Sequence, residues 1–165
     1  MKRVFMLLLL AVISLGASAQ TQQGKSSLGL NIGHAFDVGS ATFGLDYRYN
    51  VTDAVRLAPS ITYMVNDNGF HVFAVDMNAH YVVKLSEMFG FYPLAGLSLS
   101  FWNFDDPDPD LDSNASGSLT RFGVNLGLGA EVYASAHITV GVEAKYNIVK
   151  DLDQAMLAVR VGYNF

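Results

Sequence analysis

The chain has 165 residues, of which 51% are hydrophobic and only 15% charged, against about 25% charged in ordinary soluble domains. It has no cysteine, which excludes a disulfide framework, and its formal charge of −5 argues against a nucleic-acid partner. Past residue 19 no run reaches the roughly 18 consecutive apolar residues of a transmembrane helix, so any membrane insertion has to be by a barrel.

Residues 1–19 read as a secretory signal peptide. Lys2 and Arg3 precede the apolar run Val4 to Leu15, and Ala17-Ser18-Ala19 offers a small-residue cleavage site before Gln20. Its removal takes Lys2 and Arg3 away, moves the formal charge from −5 to −7, and leaves residues 20–165 as a single domain. That domain opens with a short polar lead at Gln20 to Lys25.

From there the side chains alternate with the period of two that marks strands. Ser27 to Ala35 sets Leu28, Leu30 and Ile32 against Gly29, Asn31 and Gly33. Ala41 to Asn50 sets Phe43, Leu45, Tyr47 and Tyr49 against Gly44, Asp46, Arg48 and Asn50. A turn at Asn50 to Asp53 leads to a third strand, Ala54 to Val65, and Asn66-Asp67-Asn68-Gly69 turns into a fourth, Phe70 to Val83. The fifth, Phe89 to Trp102, alternates less cleanly because Tyr92 and Leu94 fall on its polar face. The long loop Asn103 to Gly117 carries Asp105, Asp106, Asp108, Asp110 and Asp112 together with Pro107 and Pro109 and cannot be a strand. Leu119 to Val132, Ile138 to Val149 and Gln154 to Phe165 complete a set of eight.

Alternation alone does not separate a membrane barrel from a soluble barrel with an apolar interior. The polar faces do: they are mainly Gly, Ala, Ser, Asn and Thr with scattered charges, where a water-facing exterior carries roughly a quarter to a third charged residues. Aromatics also sort into two belts when the strands run alternately up and down. Tyr47, Tyr49, Tyr81, Phe91, Tyr163 and Phe165 fall at the periplasmic ends, and Phe43, Tyr63, Phe73, Phe101, Trp102 and Tyr146 near the outer ends. Three short turns lie on one side and the long acidic loop on the other. The expected fold is an all-β, eight-stranded antiparallel up-and-down transmembrane barrel with both termini periplasmic. Pro59 and Pro93 each remove a ladder donor, and a bulge or rim position is expected at each.

Strand number, leader and the terminal Val159-x-Val161-x-Tyr163-x-Phe165 pattern together resemble the small eight-stranded outer-membrane barrels of the OmpA/OmpX type, the porin-family barrel domains. The resemblance covers Ser26 to Phe165. It implies residence in the outer membrane of a Gram-negative bacterium, a monomer in lipid, and Val161, Tyr163 and Phe165 as the signal offered to the barrel assembly machinery.

Ten ionisable residues fall on the lumen face: Asp46, Arg48, Arg56, Asp76, His80, Arg121, Glu131, Glu143, Lys145 and Arg160. Eight strands leave an interior just wide enough for side chains to fill, and an unpaired buried charge costs several kcal/mol, so a structural network that plugs the lumen is expected. A narrow pore or transporter for small solutes is the alternative. The chain reads as no enzyme: His34, His71 and His137 lack a serine two residues on, and His137-x-Thr139 sits at the periplasmic end. Nor does the aspartate loop match a calcium loop, since Leu111 and Gly117 stand where an EF-hand beginning at Asp106 needs glycine and glutamate. No cofactor and no metal is expected. The expected role is structural or surface-interacting, with an extracellular partner reached through the long loop.

Overall fold

The computed structural model describes residues 23–65, 70–104, 118–150 and 152–165. The leader and the five loop aspartates lie outside these residues.

Eight strands run antiparallel in chain order: β1 (Ser26–Ala35), β2 (Ser40–Asn50), β3 (Val55–Val65), β4 (Phe70–Tyr81), β5 (Phe89–Phe104), β6 (Ser118–Tyr133), β7 (Ile138–Val149) and β8 (Gln154–Asn164). A two-residue continuation of β4, Val83–Lys84, pairs with β5 in the same register. Each strand pairs with its neighbours in sequence, and β1 pairs with β8 through nine facing residues from Ser27↔Asn164 to Ala35↔Met156, which closes the barrel. All strands lie within two residues of the expected bounds.

Burial settles which face is inside. Leu30, Ile32 and Phe122 are 61 to 63% exposed, whereas Arg48, His80 and Arg160 are 2 to 3% exposed. The apolar face points out along every strand, including Leu126, Leu128, Val140 and Val142. A soluble barrel with an apolar interior is thereby excluded.

The three turns at the end of the barrel that holds both termini share one construction. Thr52 Oγ1 accepts the backbone N–H groups of Ala54 and Val55, Ser86 Oγ those of Met88 and Phe89, and Ser135 Oγ those of His137 and Ile138. A hydroxyl that bonds the backbone two and three residues on supplies the turn with partners that the ladder no longer provides.

Both prolines depart from expectation. Pro59 lies inside β3, facing Met77 of β4, and the β2–β3 register is the same on either side of it, with Asp46 opposite Ser60 and Tyr49 opposite Leu57. Pro93 lies inside β5 opposite Leu128, and the β4–β5 register likewise resumes unchanged from His80↔Leu94 to Val83↔Phe91. There is no bulge and no rim position at either. A lost donor opens a short gap in one ladder, at Tyr47–Arg48 or Tyr81–Val82, while the ladder on the other side of the proline holds the strand in place.

Trp102 also moves. It was expected in the outer aromatic belt, but its parity in β5 turns it inward, where it is 3% exposed and donates from Nε1 to Ser100 Oγ at 3.0 Å. With Ala35, Met64 and Val72 it forms an apolar cluster inside the barrel at the loop end, backed by Val38, Leu119, Leu152 and Met156.

Candidate functional site

Below that cluster the lumen is charged. Asp46 and Arg48 stand two apart on β2 and therefore share its inner face, Arg56 comes from β3, His80 from β4, Glu131 from β6, Glu143 from β7 and Arg160 from β8. These seven form one connected network. Arg160 Nε donates to both Asp46 oxygens, at 2.6 and 2.8 Å, and Arg48 Nε reaches Asp46 Oδ2 at 3.1 Å. Arg48 Nη1 continues to Glu131 Oε2 at 3.0 Å, and Arg48 Nη2 to Glu143 Oε2 at 3.2 Å. Arg56 holds Glu131 by two bonds, at 2.9 and 3.1 Å, and meets His80 Nδ1 at 3.2 Å. Glu131 takes a further bond from Tyr133 Oη at 2.7 Å. A planar guanidinium suits this role because its fixed fork bridges two carboxylates at once.

Two members of the expected set pair elsewhere and one stands apart. Lys145 Nζ bonds Asp76 Oδ2 at 2.5 Å. Next to that pair, Asn147 donates to Asn125 and Asn125 to Asn78, a chain of amides across the barrel. Arg121 lies higher on β6, half-buried, and its Nε has no hydrogen-bond partner among the described residues.

At the centre is a residue the sequence reading left out. Tyr92 is 1% exposed; its hydroxyl accepts from Arg48 Nη2 at 3.0 Å and donates to Glu143 Oε2 at 2.9 Å. Its ring stacks on His80 with centroids 4.5 Å apart, and the guanidinium carbons of Arg48 and Arg56 lie 5.1 and 4.8 Å from the ring centre. The available signal was the break in alternation at Tyr92.

Three glycines make room for these large groups. Gly129 faces Tyr92 directly across the β5–β6 ladder, and a Cβ there would overlap the tyrosine ring. Gly29 and Gly162 face each other across the β1–β8 seam, and a Cβ on either would overlap the Arg160 guanidinium.

Three cavities follow one another along the axis. A vestibule of about 680 Å³ opens at the end of the barrel that holds both termini. Past it lies a chamber of about 50 Å³ bordered by Asp46, His80, Glu143 and Lys145, then one of about 10 Å³ bordered by Asp76, Gln154 and Trp102. Arg48 borders both the vestibule and the first chamber. His80 Nε2, Asp76 Oδ1 and Gln154 Oε1 are buried here without hydrogen-bond partners among the described residues, in chambers of the size that suits one to a few waters.

The remaining histidines face outward against aromatics: His34 packs edge-on to Phe36, His71 stacks on Tyr63 and His137 on Tyr163. Val161, Tyr163 and Phe165 also face outward, Phe165 edge-on to Tyr163 at 5.4 Å, and the Phe165 N–H bonds the Ser26 carbonyl. Among the described residues no cluster of His, Asp and Glu could hold a metal ion, and no helix is long and apolar enough to cross a membrane.

Residues 5–165 match the family described as outer membrane protein beta-barrel domain. The chain belongs to that family. Among solved structures it is similar to the N-terminal barrel domain of Pseudomonas aeruginosa OprF, with 19% identity over 87% of this chain and 98% of that one and a TM-score of 0.72. The attachment invasion locus protein Ail of Yersinia pestis matches at 17% identity over 87% of this chain and all of that one, with a TM-score of 0.64. Neisserial surface protein A matches at 16% identity over 86% and 95%, with a TM-score of 0.66. At these identities the likeness is one of fold. A search of curated proteins finds no match. Membership of the family places the chain in the outer membrane, with its outward apolar face against lipid.

Proposed function

We propose that this barrel is a closed structural anchor of the outer membrane that displays its loops outside, the acidic stretch Asn103 to Gly117 foremost, to an extracellular partner. The observation that carries this is the pairing of lumen charges with one another: Arg48, Arg56 and Arg160 each bond carboxylates from other strands, at 2.6 to 3.2 Å, instead of lining an open passage. A buried pair with good geometry is costly to break, so the network resists opening. On this reading residues 1–19 are cleaved on export, residues 20–165 act as a monomer, and Val161, Tyr163 and Phe165 address the chain to the assembly machinery.

The test is electrical. The mature chain, refolded and inserted in planar bilayers, is expected to give a flat current trace under applied voltage. Reproducible unitary steps would replace the anchor with the narrow pore for small solutes.

A further inference from the structure

The vestibule differs in charge from the chamber beyond it. The three arginines of the network all border it, yet two of the carboxylates that neutralise them, Asp46 and Glu143, border the inner chamber instead. The salt-bridge layer is thus polarised in part: all three guanidinium groups border the open end, where Glu131 is the one carboxylate of the network beside them. At the mouth stand Lys25 and Lys84. Neither has a carboxylate partner among the described residues, and Lys84 Nζ lies 4.9 Å from the centre of the Tyr133 ring. Asp53, which accepts the Gln23 N–H at 3.0 Å, and Glu87 are the acidic groups on the same rim, so the lining sets Lys25, Arg48, Arg56, Lys84 and Arg160 against Asp53, Glu87 and Glu131, an excess of two positive charges.

We propose that this vestibule is a binding site for a small multivalent anion, carrying carboxylate or phosphate groups, that arrives from the side of the membrane where both termini lie. Its volume of about 680 Å³ falls in the range of small-molecule sites, roughly 300 to 1,000 Å³. The floor is preorganised, because Arg48, Arg56 and Arg160 are 2 to 5% exposed and held by bonds on other strands. The walls add neutral donors, among them Ser27, Asn50 and Ser135. Preformed cationic donors cost little reorganisation on binding, so charge complementarity is retained as affinity. An apolar ligand would meet no matching surface there.

The site is independent of whether the lumen conducts, so its test is a titration. Mature protein in zwitterionic micelles at low salt is titrated calorimetrically with citrate, with pyrophosphate and with spermine. Heat-modifiable gel mobility confirms the fold of each variant. Saturable binding of citrate, pyrophosphate or both is expected, with spermine inert; the anion preferred identifies the carboxylate or the phosphate source. The double variant Lys25→Glu/Lys84→Glu is expected to lose about tenfold or more in affinity, since it replaces two attractive charges at the mouth by two repulsive ones. Glu87→Gln is expected to tighten binding. If the double reversal does not fold, Lys25→Gln/Lys84→Gln takes its place with the same expectation in direction. Neither anion binding, spermine binding as tightly as the anions, or the lysine variants retaining wild-type affinity would each overturn the proposal.

Discussion

The hydroxyl of Tyr92 bridges Arg48 and Glu143, accepting from one at 3.0 Å and donating to the other at 2.9 Å, while its ring stacks on His80. The tyrosine therefore serves the network by hydroxyl and by ring, and two substitutions separate these. Tyr92→Phe keeps the ring and the direct Arg48–Glu143 contact, and is expected to cost about 1 to 2 kcal/mol. Tyr92→Ala also removes the surface against which two guanidinium groups and an imidazole pack, and is expected to cost about 3 to 5 kcal/mol. Urea unfolding in lipid vesicles measures both; equal losses would show that the ring contributes nothing.

Gly129→Ala places a methyl group into the Tyr92 ring. Overpacking of this kind costs about 1 to 3 kcal/mol. The expected signature is coupling: the penalty should vanish when the same change is made in Tyr92→Ala. An additive double variant would place the strain somewhere other than the tyrosine.

Arg160→Ala leaves Asp46 bonded to Arg48 and Asn31 but strips its closest partner. Removing one member of a buried pair costs about 3 to 5 kcal/mol. Stability is expected to fall with no current in planar bilayers, because the apolar cluster of Ala35, Met64, Val72 and Trp102 at the loop end is untouched. Conductance in this variant would show that the charge layer alone holds the passage shut.

Leu126 faces lipid at the ninth position of the sixteen-residue β6. Leu126→Arg is expected to cost about 2 to 4 kcal/mol, the penalty of an arginine near the bilayer midplane. Its neighbour Asn125 is fully buried inside, so the same unfolding assay on Leu126→Ala, which keeps the face apolar, should show a much smaller loss.

Phe165→Asp tests the terminal signal. The side chain is exposed and, among the described residues, its ring meets that of Tyr163, so a folded barrel should lose little stability by the change. Assembly in cells is nevertheless expected to fall, read as the amount of heat-modifiable barrel in outer-membrane fractions. Wild-type amounts would show that Phe165 carries no part of the signal.

Strand positions and facing were readable from period-two alternation because membrane and lumen impose opposite demands on successive residues. Ile138 to Val149 came out with both ends in place. Height in the lumen was not readable: parity says that Arg48 and Glu131 face inward, but only the stagger of closed strands brings residues 83 positions apart into contact. Trp102 was misjudged, and Tyr92, though placed on the inner face, was not counted among the lumen residues, for a related reason. An aromatic on an outer-membrane strand suggests an interfacial belt, yet a glycine-lined interior admits large rings, and Gly129 opposite Tyr92 was the unused clue. All three turns at the terminal end were placed from the sequence, but the matched hydroxyls Thr52, Ser86 and Ser135, each three residues ahead of the strand start, were not recognised as what builds them. For the prolines the single-strand rule was too strict, since it ignores the second ladder that a closed sheet gives every strand.

The seam between β1 and β8 sets an order of events. Ser27 pairs with Asn164, so the ladder that closes the barrel can form only after almost the whole chain has been made. The closed barrel therefore cannot form gradually from its beginning: the seam between Ser26–Ala35 and Gln154–Asn164 exists only once both strands are present, and closure comes at the moment the two ends meet.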